Sequence, residues 1–146
     1  MILWRISNHE SLDGAGGLYA AGRWHTKGHP VLYCALNPAT ALLETLVHME
    51  IDAEDLPGCF RVLKIEGPDS LTAETADSLP EDWAVAMAAT QAVGDRWLEE
   101  KRSLLLRVPS VLVPETWNVL VNPRHNEMGL LRVTRTYNHP FDARLL

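Results

Sequence analysis

The sequence predicts an α+β fold, with one domain spanning residues 1–146 and a mixed β-sheet core flanked by helices. A chain of 146 residues suits a single hydrophobic core better than two. Strand-like segments outnumber helical ones and do not alternate regularly with them, as they would in a doubly wound sheet. The hydrophobic content of 47% and charged content of 22% are ordinary for a globular protein and argue against disorder.

The first predicted elements are two short strands separated by a glycine-containing loop. The strands are Ile2–Ile6 and Val31–Ala35, the second being a compact apolar run bounded by turn residues. The loop carries the cluster Gly14-Ala15-Gly16-Gly17, which lacks the spacing of a phosphate-binding loop. We therefore expect this cluster to be flexible loop with no helix after it.

The clearest predicted helix begins at Asn37-Pro38. Asparagine is a good N-cap, and proline fits the first helical position because its missing N–H would be unpaired there. Apolar residues then repeat with helical period at Ala39, Leu42, Leu43, Leu46 and Val47. This pattern predicts an amphipathic helix with one face in the core.

The second half of the chain mixes strand-like and helical segments. The predicted strands are Phe60–Glu66, Leu104–Arg107, Val111–Val113, Val119–Val121 and Leu130–Thr136. The segments Pro80–Ala89 and Thr90–Lys101 have helical composition, with Gly94 expected to cause a local irregularity.

Charge and motif content narrow the functional classes. The net charge of −6 argues against a broad nucleic-acid surface, and the lack of an acidic metal cluster disfavours a nuclease. The six histidines form no HExxH pattern and no Cys/His ligand spacing appears, so we expect no metal. Two cysteines, no apolar run long enough for a bilayer and no signal-peptide pattern predict a cytoplasmic protein without a membrane partner.

Four residues stand out as candidates for chemistry, and each has a structural alternative. Arg23 lies in a glycine-flanked loop where a guanidinium could bind phosphate, or it could form a surface ion pair. Tyr33 could line a pocket or donate a hydrogen bond in the core. Glu44 lies at the edge of an apolar stripe, facing either a cleft or a partner such as His48. Ser110 has no GxSxG context, so it is a turn residue or a binding residue, not a hydrolase nucleophile.

In this order and spacing, several motifs resemble the RES domain family over almost the whole chain. They are Trp4-Arg5, GRWHTKG from Gly22 to Gly28, PVLYCALNPATALLETLVH from Pro30 to His48, RVPSVLVP from Arg107 to Pro114, Trp117-Asn118, Val121-Asn122-Pro123 and Phe141-Asp142-Ala143-Arg144-Leu145. The segment from Asp52 to Trp83 is the least diagnostic. Each motif is weak alone, and their combination is specific.

The resemblance implies an ADP-ribosyltransferase-like fold with a cleft that accepts NAD, and it assigns roles to residues. Arg23, Glu44 and Ser110 correspond to the Arg, Glu and Ser for which the family is named, with Tyr33 a fourth member of the site. Arg5 would be a second arginine, and Asn118 would contact substrate. His25 would also contact substrate. It stands where asparagine is common in the family, a departure that would change the affinity for substrate and leave the reaction class intact.

The implied reaction is cleavage of the bond between nicotinamide and ribose in NAD, without a metal. Glu44 would stabilise positive charge on the sugar, and Arg23 with Arg5 would hold the pyrophosphate. Tyr33 and Ser110 would contact the nicotinamide ribose.

The sequence does not determine which group accepts the ADP-ribose. Water would make the protein an NAD glycohydrolase, phosphate a phosphorolase, and a protein side chain an ADP-ribosyltransferase. A non-enzymatic binding module is the competing class. The resemblance further implies the toxin role of a toxin–antitoxin pair, with a helix-turn-helix antitoxin of the Xre type as partner, and the sequence leaves a homodimer open.

Overall fold

The computed structural model describes residues 1–49 and 57–145. This part of the chain contributes seven strands to one sheet: β1 Ile2–Ile6, β2 Leu32–Ala35, β3 Cys59–Glu66, β4 Ala73–Thr75, β5 Leu105–Pro109, β6 Trp117–Val121 and β7 Arg132–Pro140. Across the sheet the order is β4-β5-β6-β2-β1-β3-β7. The β4–β5 pair is parallel and the other pairs are antiparallel, so the sheet is mixed as predicted.

Helical segments in the described residues are α1 Gly16–Tyr19, α2 Pro38–His48, α3 Met87–Glu100 and two single 3₁₀ turns, Met128–Leu130 and Ala143–Leu145. The expectation that Gly14–Gly17 is loop with no helix after it is wrong in part, because α1 begins within the cluster at Gly16. The helix is a single turn, too short for a periodic sequence pattern to reveal. None of these helices is long and apolar enough to cross a membrane.

The core lies on both faces of the central strands. In β6, Val119 and Val121 belong to one apolar cluster and Leu120 to the other, as alternation along a strand requires. The first cluster also contains Leu3 of β1, and the second contains Trp97 of α3. Burial on both faces explains why these strands are continuous apolar runs.

Helix α2 begins as predicted, but its apolar face does not enter the core. The Asn37 side chain accepts a hydrogen bond from the Thr40 N–H at 2.8 Å, and Pro38 is the first helical residue. Ala41 is buried, whereas Leu43 is 40% and Val47 53% exposed. The prediction of a core-facing stripe is therefore wrong, because α2 lies beside a cavity and buries only a narrow strip against β1 and β2.

Helix α3 is one continuous helix, which corrects two predictions. Glu81–Val85 forms turns, and α3 begins at Met87 and runs through Gly94 without interruption. A Cβ atom at Gly94 would lie 1.6 Å from the carbonyl oxygen of Trp24. The glycine therefore allows α3 to approach the loop before β2 and does not break the helix.

Three strand predictions also differ from the structure. Val111–Val113 forms bends between Pro109 and Pro114, because prolines on both sides prevent a continuous ladder. β4 was not predicted, since three residues are too few for a pattern. β7 is Arg132–Pro140 rather than Leu130–Thr136, and pairing with β3 extends it through polar residues that carry no strand signal.

Candidate functional site

A cavity of about 540 Å³ opens beside the central strands, between β1, β2, β5, β6, α2 and the loop before β2. This volume is within the range of small-molecule sites. The predicted site residues that line it are Arg5, Arg23, His25, Tyr33, Glu44 and Asn118. Residues far apart in the first third of the chain therefore converge on one pocket. Ser110 is absent from the lining.

Glu44 projects from α2, and two side chains hold one of its carboxylate oxygens. Its Oε1 accepts hydrogen bonds from the Ser110 hydroxyl at 2.7 Å and from the Asn118 side-chain amide at 2.7 Å. Ser110 follows β5 and Asn118 lies on the adjacent β6, so neighbouring strands bring both donors to α2. The carboxylate faces the cavity, and within residues 1–49 and 57–145 no donor contacts Oε2. That oxygen can therefore bind a ligand.

The alternative partner of Glu44, His48, is exposed, and no ion pair joins the two side chains in the described ranges. A carboxylate at this position is instead satisfied by neutral donors. Neither the hydroxyl nor the amide carries a charge that would offset the charge of the carboxylate.

Ser110 supports Glu44 and does not line the cavity. The residue is buried, its Oγ donates to Glu44, and it accepts from the Leu112 N–H at 3.1 Å. The resemblance implies that Ser110 contacts substrate, and this stays a prediction. In the structure its hydroxyl hydrogen is donated to Glu44, so Ser110 orients the carboxylate in this arrangement.

Arg23 lies in a tight turn closed by a β-bridge between Gly22 and His25. Its Nη1 donates to the Ala84 carbonyl at 2.9 Å, and its side chain lines the cavity. No carboxylate pairs with Arg23 in the part of the chain that the structure covers. The surface ion pair, the alternative role considered for Arg23, is therefore absent from these residues. The remaining guanidinium donors can bind an anion.

Tyr33 and His25 hold this turn against β2. The Tyr33 hydroxyl lies 2.7 Å from His25 Nδ1 and accepts from the Trp24 N–H at 3.2 Å. His25 Nε2 lies 2.8 Å from the Ala20 carbonyl, which can only accept. His25 is therefore protonated on Nε2, and its Nδ1 accepts the Tyr33 hydroxyl hydrogen.

Burial sets the protonation states of this pair. It lowers the pKa of His25, against the opposing effect of the Ala20 carbonyl, so the neutral imidazole is favoured. Burial likewise raises the pKa of Tyr33 and keeps its hydroxyl protonated. Since the polar atoms of both side chains are occupied, they present mainly ring surface to the cavity.

Arg5 of β1 carries a buried nitrogen with no acceptor. Its Nη1 has no hydrogen-bond partner within the described residues, although the side chain lines the cavity. Burial lowers the pKa of Arg5, against the opposing influence of Cys34 and Asp13. Burial raises the pKa of the Cys34 thiol to about 12, so it does not neutralise the guanidinium at neutral pH. An unpaired buried cation is costly, and a bound anion would satisfy it.

Two residues that support the site escaped prediction. Thr90 and Gln91 of α3 hydrogen-bond the backbone of the turn that carries Arg23. Both are ordinary polar residues of a helix, and no sequence pattern distinguishes them. Within residues 1–49 and 57–145, no group of three His, Cys, Asp or Glu side chains is placed to hold a metal ion.

Comparison with known proteins identifies relatives over most of the chain. The RES domain family model matches residues 2–142. The chain is 48% identical over 125 residues to the protein named Toxin Res of Pseudomonas putida, covering 86% of each. It is 38% identical over 156 residues to Toxin Res of Yersinia enterocolitica, covering 99% of each. It is 33% identical over 155 residues to the Prs ADP-ribosylating toxin of a Sphingobium species, covering 98% of this chain and 95% of the relative.

A solved structure shares the fold. The crystal structure of the M. tuberculosis MbcT–MbcA toxin–antitoxin complex contains a chain that superposes with a TM-score of 0.74 at 17% identity, covering 99% of this chain and 85% of that chain. At this identity the match supports the α+β architecture. Because the family model spans nearly the whole sequence and the relatives align over most of their lengths, the chain belongs to the RES domain family, and the relatives compared with it are toxins.

Proposed function

We propose that this protein is the toxin of a toxin–antitoxin pair and cleaves the bond between nicotinamide and ribose in NAD. One observation carries the proposal. Glu44 is fixed through one oxygen by Ser110 and Asn118, and it faces a cavity that also contains two arginines, Arg5 and Arg23. A carboxylate at one place and guanidinium groups at another suit a substrate with a developing cation and a pyrophosphate.

The chemistry requires negative charge near the ribose. When the C1′–N bond breaks, its electron pair goes to nicotinamide, which leaves neutral, and the ribose ring becomes an oxocarbenium-like cation. The free Oε2 of Glu44 would stabilise that cation or accept the 2′-hydroxyl hydrogen. Water then adds to C1′ and releases one proton, which gives ADP-ribose and nicotinamide.

The arginines supply the binding half of the site. The guanidinium groups of Arg5, whose Nη1 has no partner in the described residues, and of Arg23 suit the pyrophosphate, because guanidinium binds phosphate through charge-assisted hydrogen bonds. Tyr33 would contribute its ring beside the nicotinamide ribose, since its hydroxyl bonds His25 and Trp24. Asn118 lines the cavity beside Glu44 and would contact the same end of the substrate.

Water is the acceptor that we propose, because no element for recognising another acceptor is apparent in the described residues. A second candidate is transfer of ADP-ribose to a protein. The relative named Prs ADP-ribosylating toxin, at 33% identity over 98% of this chain, supports that candidate. Phosphate would be a third acceptor, with ADP-ribose 1″-phosphate as product.

The proposed partner is an antitoxin. The structural neighbour MbcT was solved in complex with the antitoxin MbcA. We propose a helix-turn-helix protein of the Xre type in that role here. A module that only binds such a partner would carry the same surface residues but would not consume NAD.

The test is incubation of purified protein with NAD in three conditions, alone, with phosphate, and with a bacterial protein extract freed of small molecules, followed by identification of products by mass. Free nicotinamide with ADP-ribose supports hydrolysis, a phosphorylated ADP-ribose supports phosphorolysis, and a mass increase on a cellular protein supports transfer. If NAD is fully recovered in every condition, the proposed chemistry is rejected and the binding module is favoured.

A further inference from the structure

We propose that helix α3 positions the pyrophosphate-binding arginine, with Thr90 and Gln91 fixing the turn that carries Arg23. This inference rests on the proposed function for the role of Arg23. The position of the turn itself rests on hydrogen bonds from α3, whose Thr90 and Gln91 lie 67 and 69 positions from their partners in the turn.

The two α3 residues bond consecutive carbonyls of the turn. Thr90 Oγ1 donates to the Arg23 carbonyl at 2.6 Å, with the Met87 carbonyl a longer alternative at 3.0 Å. Gln91 Nε2 donates to the Gly22 carbonyl at 2.9 Å. Thr90 is fully buried, at 0% exposure, so no water replaces its hydroxyl if it is removed.

Helix α3 also packs directly against Trp24, the next residue of the turn. Gly94 lies one helical turn beyond Thr90, where its missing side chain admits the Trp24 carbonyl. Trp24 is itself buried at 2% exposure. Three successive residues, Gly22, Arg23 and Trp24, are thus held by one face of α3.

The opposite side of the turn is held from β2. Tyr33 accepts from the Trp24 N–H and donates to His25. The turn is therefore fixed between a strand and a helix, and the Arg23 guanidinium is tethered further by the Ala84 carbonyl just before α3. Because the backbone cannot shift without breaking these bonds, α3 helps to determine the position of the guanidinium over the cavity, together with β2 and the Ala84 carbonyl.

Thr90 and Gln91 do not line the cavity and so do not contact substrate. They act through Arg23. A displacement of about 1 Å in a binding group is enough to weaken a positioned contact strongly. Loss of either hydrogen bond should therefore weaken NAD binding more than it slows bond cleavage at Glu44.

The test compares Thr90→Val, which keeps the shape and removes the hydroxyl, with Thr90→Ser, which keeps the hydroxyl. We expect Thr90→Val to raise KM for NAD about three- to tenfold with a smaller change in kcat, and Thr90→Ser to stay close to the unaltered protein. Gln91→Met, which removes the amide donor at similar size, should raise KM in the same way and serves if Thr90→Val does not fold.

Ser103→Ala is the matched control. Ser103 is buried and accepts from the Trp97 indole at 2.8 Å beyond the other end of α3, away from the turn. The Ser103→Ala variant should have lower thermal stability and an unchanged KM for NAD. The proposal is overturned if Ser103→Ala raises KM as much as Thr90→Val, if Thr90→Ser behaves like Thr90→Val, or if the removal of both donors leaves KM unchanged.

A second readout separates this inference from the proposed function. The Gly22 N–H donates to the His25 carbonyl at 3.1 Å and closes the turn, so its hydrogen exchange reports the turn directly. If the unaltered protein does not cleave NAD, the proposed function fails and exchange decides the positioning. Faster exchange at Gly22 in Thr90→Val and Gln91→Met, but not in Thr90→Ser or Ser103→Ala, supports it, and equal exchange in all variants overturns it.

Discussion

At the scale of single residues, the hydrogen bonds to Glu44 determine how its carboxylate can act. Both donors, Ser110 and Asn118, bond the same oxygen, which fixes the orientation of the group and leaves the other oxygen toward the cavity. Neither donor carries charge, so orientation is achieved without weakening the field that the carboxylate exerts on a cation. Fixed orientation before reaction is the property that electrostatic catalysis requires.

Replacement of Ser110 by alanine tests this orientation. The variant removes one donor from Glu44 and leaves the Asn118 bond, so we expect nicotinamide release to slow by about tenfold, less than removal of the carboxylate charge. KM should change little, because Ser110 does not line the cavity. A larger effect on KM than on kcat would show that Ser110 contacts substrate directly.

The histidines His25 and His29 should titrate on opposite sides of the ordinary value of 6.5. Burial lowers the pKa of His25. Burial also lowers the pKa of His29, but the Thr26 carbonyl and the carboxylates of Glu99 and Asp95 outweigh it and raise the pKa overall. Chemical shifts of the imidazole C–H signals against pH measure both values. A His25 titration at or above that of His29 would contradict the hydrogen bonding described.

These shifts also fix the sign of each contribution to stability. The folded state binds a proton at His25 less readily than the unfolded state, so the His25 contribution is complete above pH 6.5 and is lost as pH falls below it. The His29 contribution has the opposite sign. It is complete below pH 6.5 and is lost as pH rises through its raised pKa.

At the scale of elements, α3 connects the core to the cavity. It buries Trp97 and Leu98 against the sheet and hydrogen-bonds the turn of Arg23 through its other residues. Stability and site geometry are therefore coupled through this helix. α2 differs, because it buries little apolar surface and presents Glu44.

Gly94→Ala tests the contact between α3 and the turn. The added Cβ would meet the Trp24 carbonyl at 1.6 Å, so we expect a loss of about 2–3 kcal/mol in the free energy of unfolding, despite the better helix propensity of alanine. Denaturant unfolding measures the change. Gly129→Ala is the control, since nothing lies within 4 Å of its Cβ position. Equal stability of the two variants would mean that α3 and the turn are not in close contact.

The elements that could be predicted from sequence are those whose signals are local. Asn37-Pro38 specifies the start of α2, and apolar runs specify β1, β2 and β6. The full length of β7 and the existence of β4 depend on pairing with distant strands, which no local pattern encodes. The exposure of Leu43 was missed because periodicity reveals an apolar face but not what covers it.

The same limit applies to the site. The sequence analysis names Glu44, Arg23 and Tyr33 as candidate site residues. It could not predict the hydrogen bond between Ser110 and Glu44, because the two residues are 66 positions apart. The role of Thr90 depends on the approach of α3 to the turn, 67 positions away. The residues alone left a structural alternative for each candidate, and the proposed chemistry rests on the family resemblance. Tertiary structure shows which side chain lines the cavity and which bonds another side chain.

At the scale of the whole molecule, an acidic protein of net charge −6 places two arginines in the cavity that Glu44 faces. Two guanidinium groups in one pocket of an acidic protein suit a small anionic ligand better than a nucleic-acid strand. Strands β1, β5 and β6 form one wall of the cavity, and α2 and the turn before β2 contribute Glu44 and Arg23, the residues of the proposed chemistry. This arrangement is consistent with membership in a family whose compared members are toxins.

The most direct test of the central claim is the rate of nicotinamide release from NAD by the unaltered protein, Glu44→Gln and Glu127→Gln. The amide introduced by Glu44→Gln can still accept from Ser110 and Asn118 but carries no charge, so the fold should be retained while the rate falls by at least about a hundredfold. Glu127 also accepts two hydrogen bonds, both from Thr72, outside the cavity, and Glu127→Gln should retain the rate. If Glu44→Gln releases nicotinamide as fast as the unaltered protein, the Glu44 carboxylate is not the group that stabilises the reacting sugar.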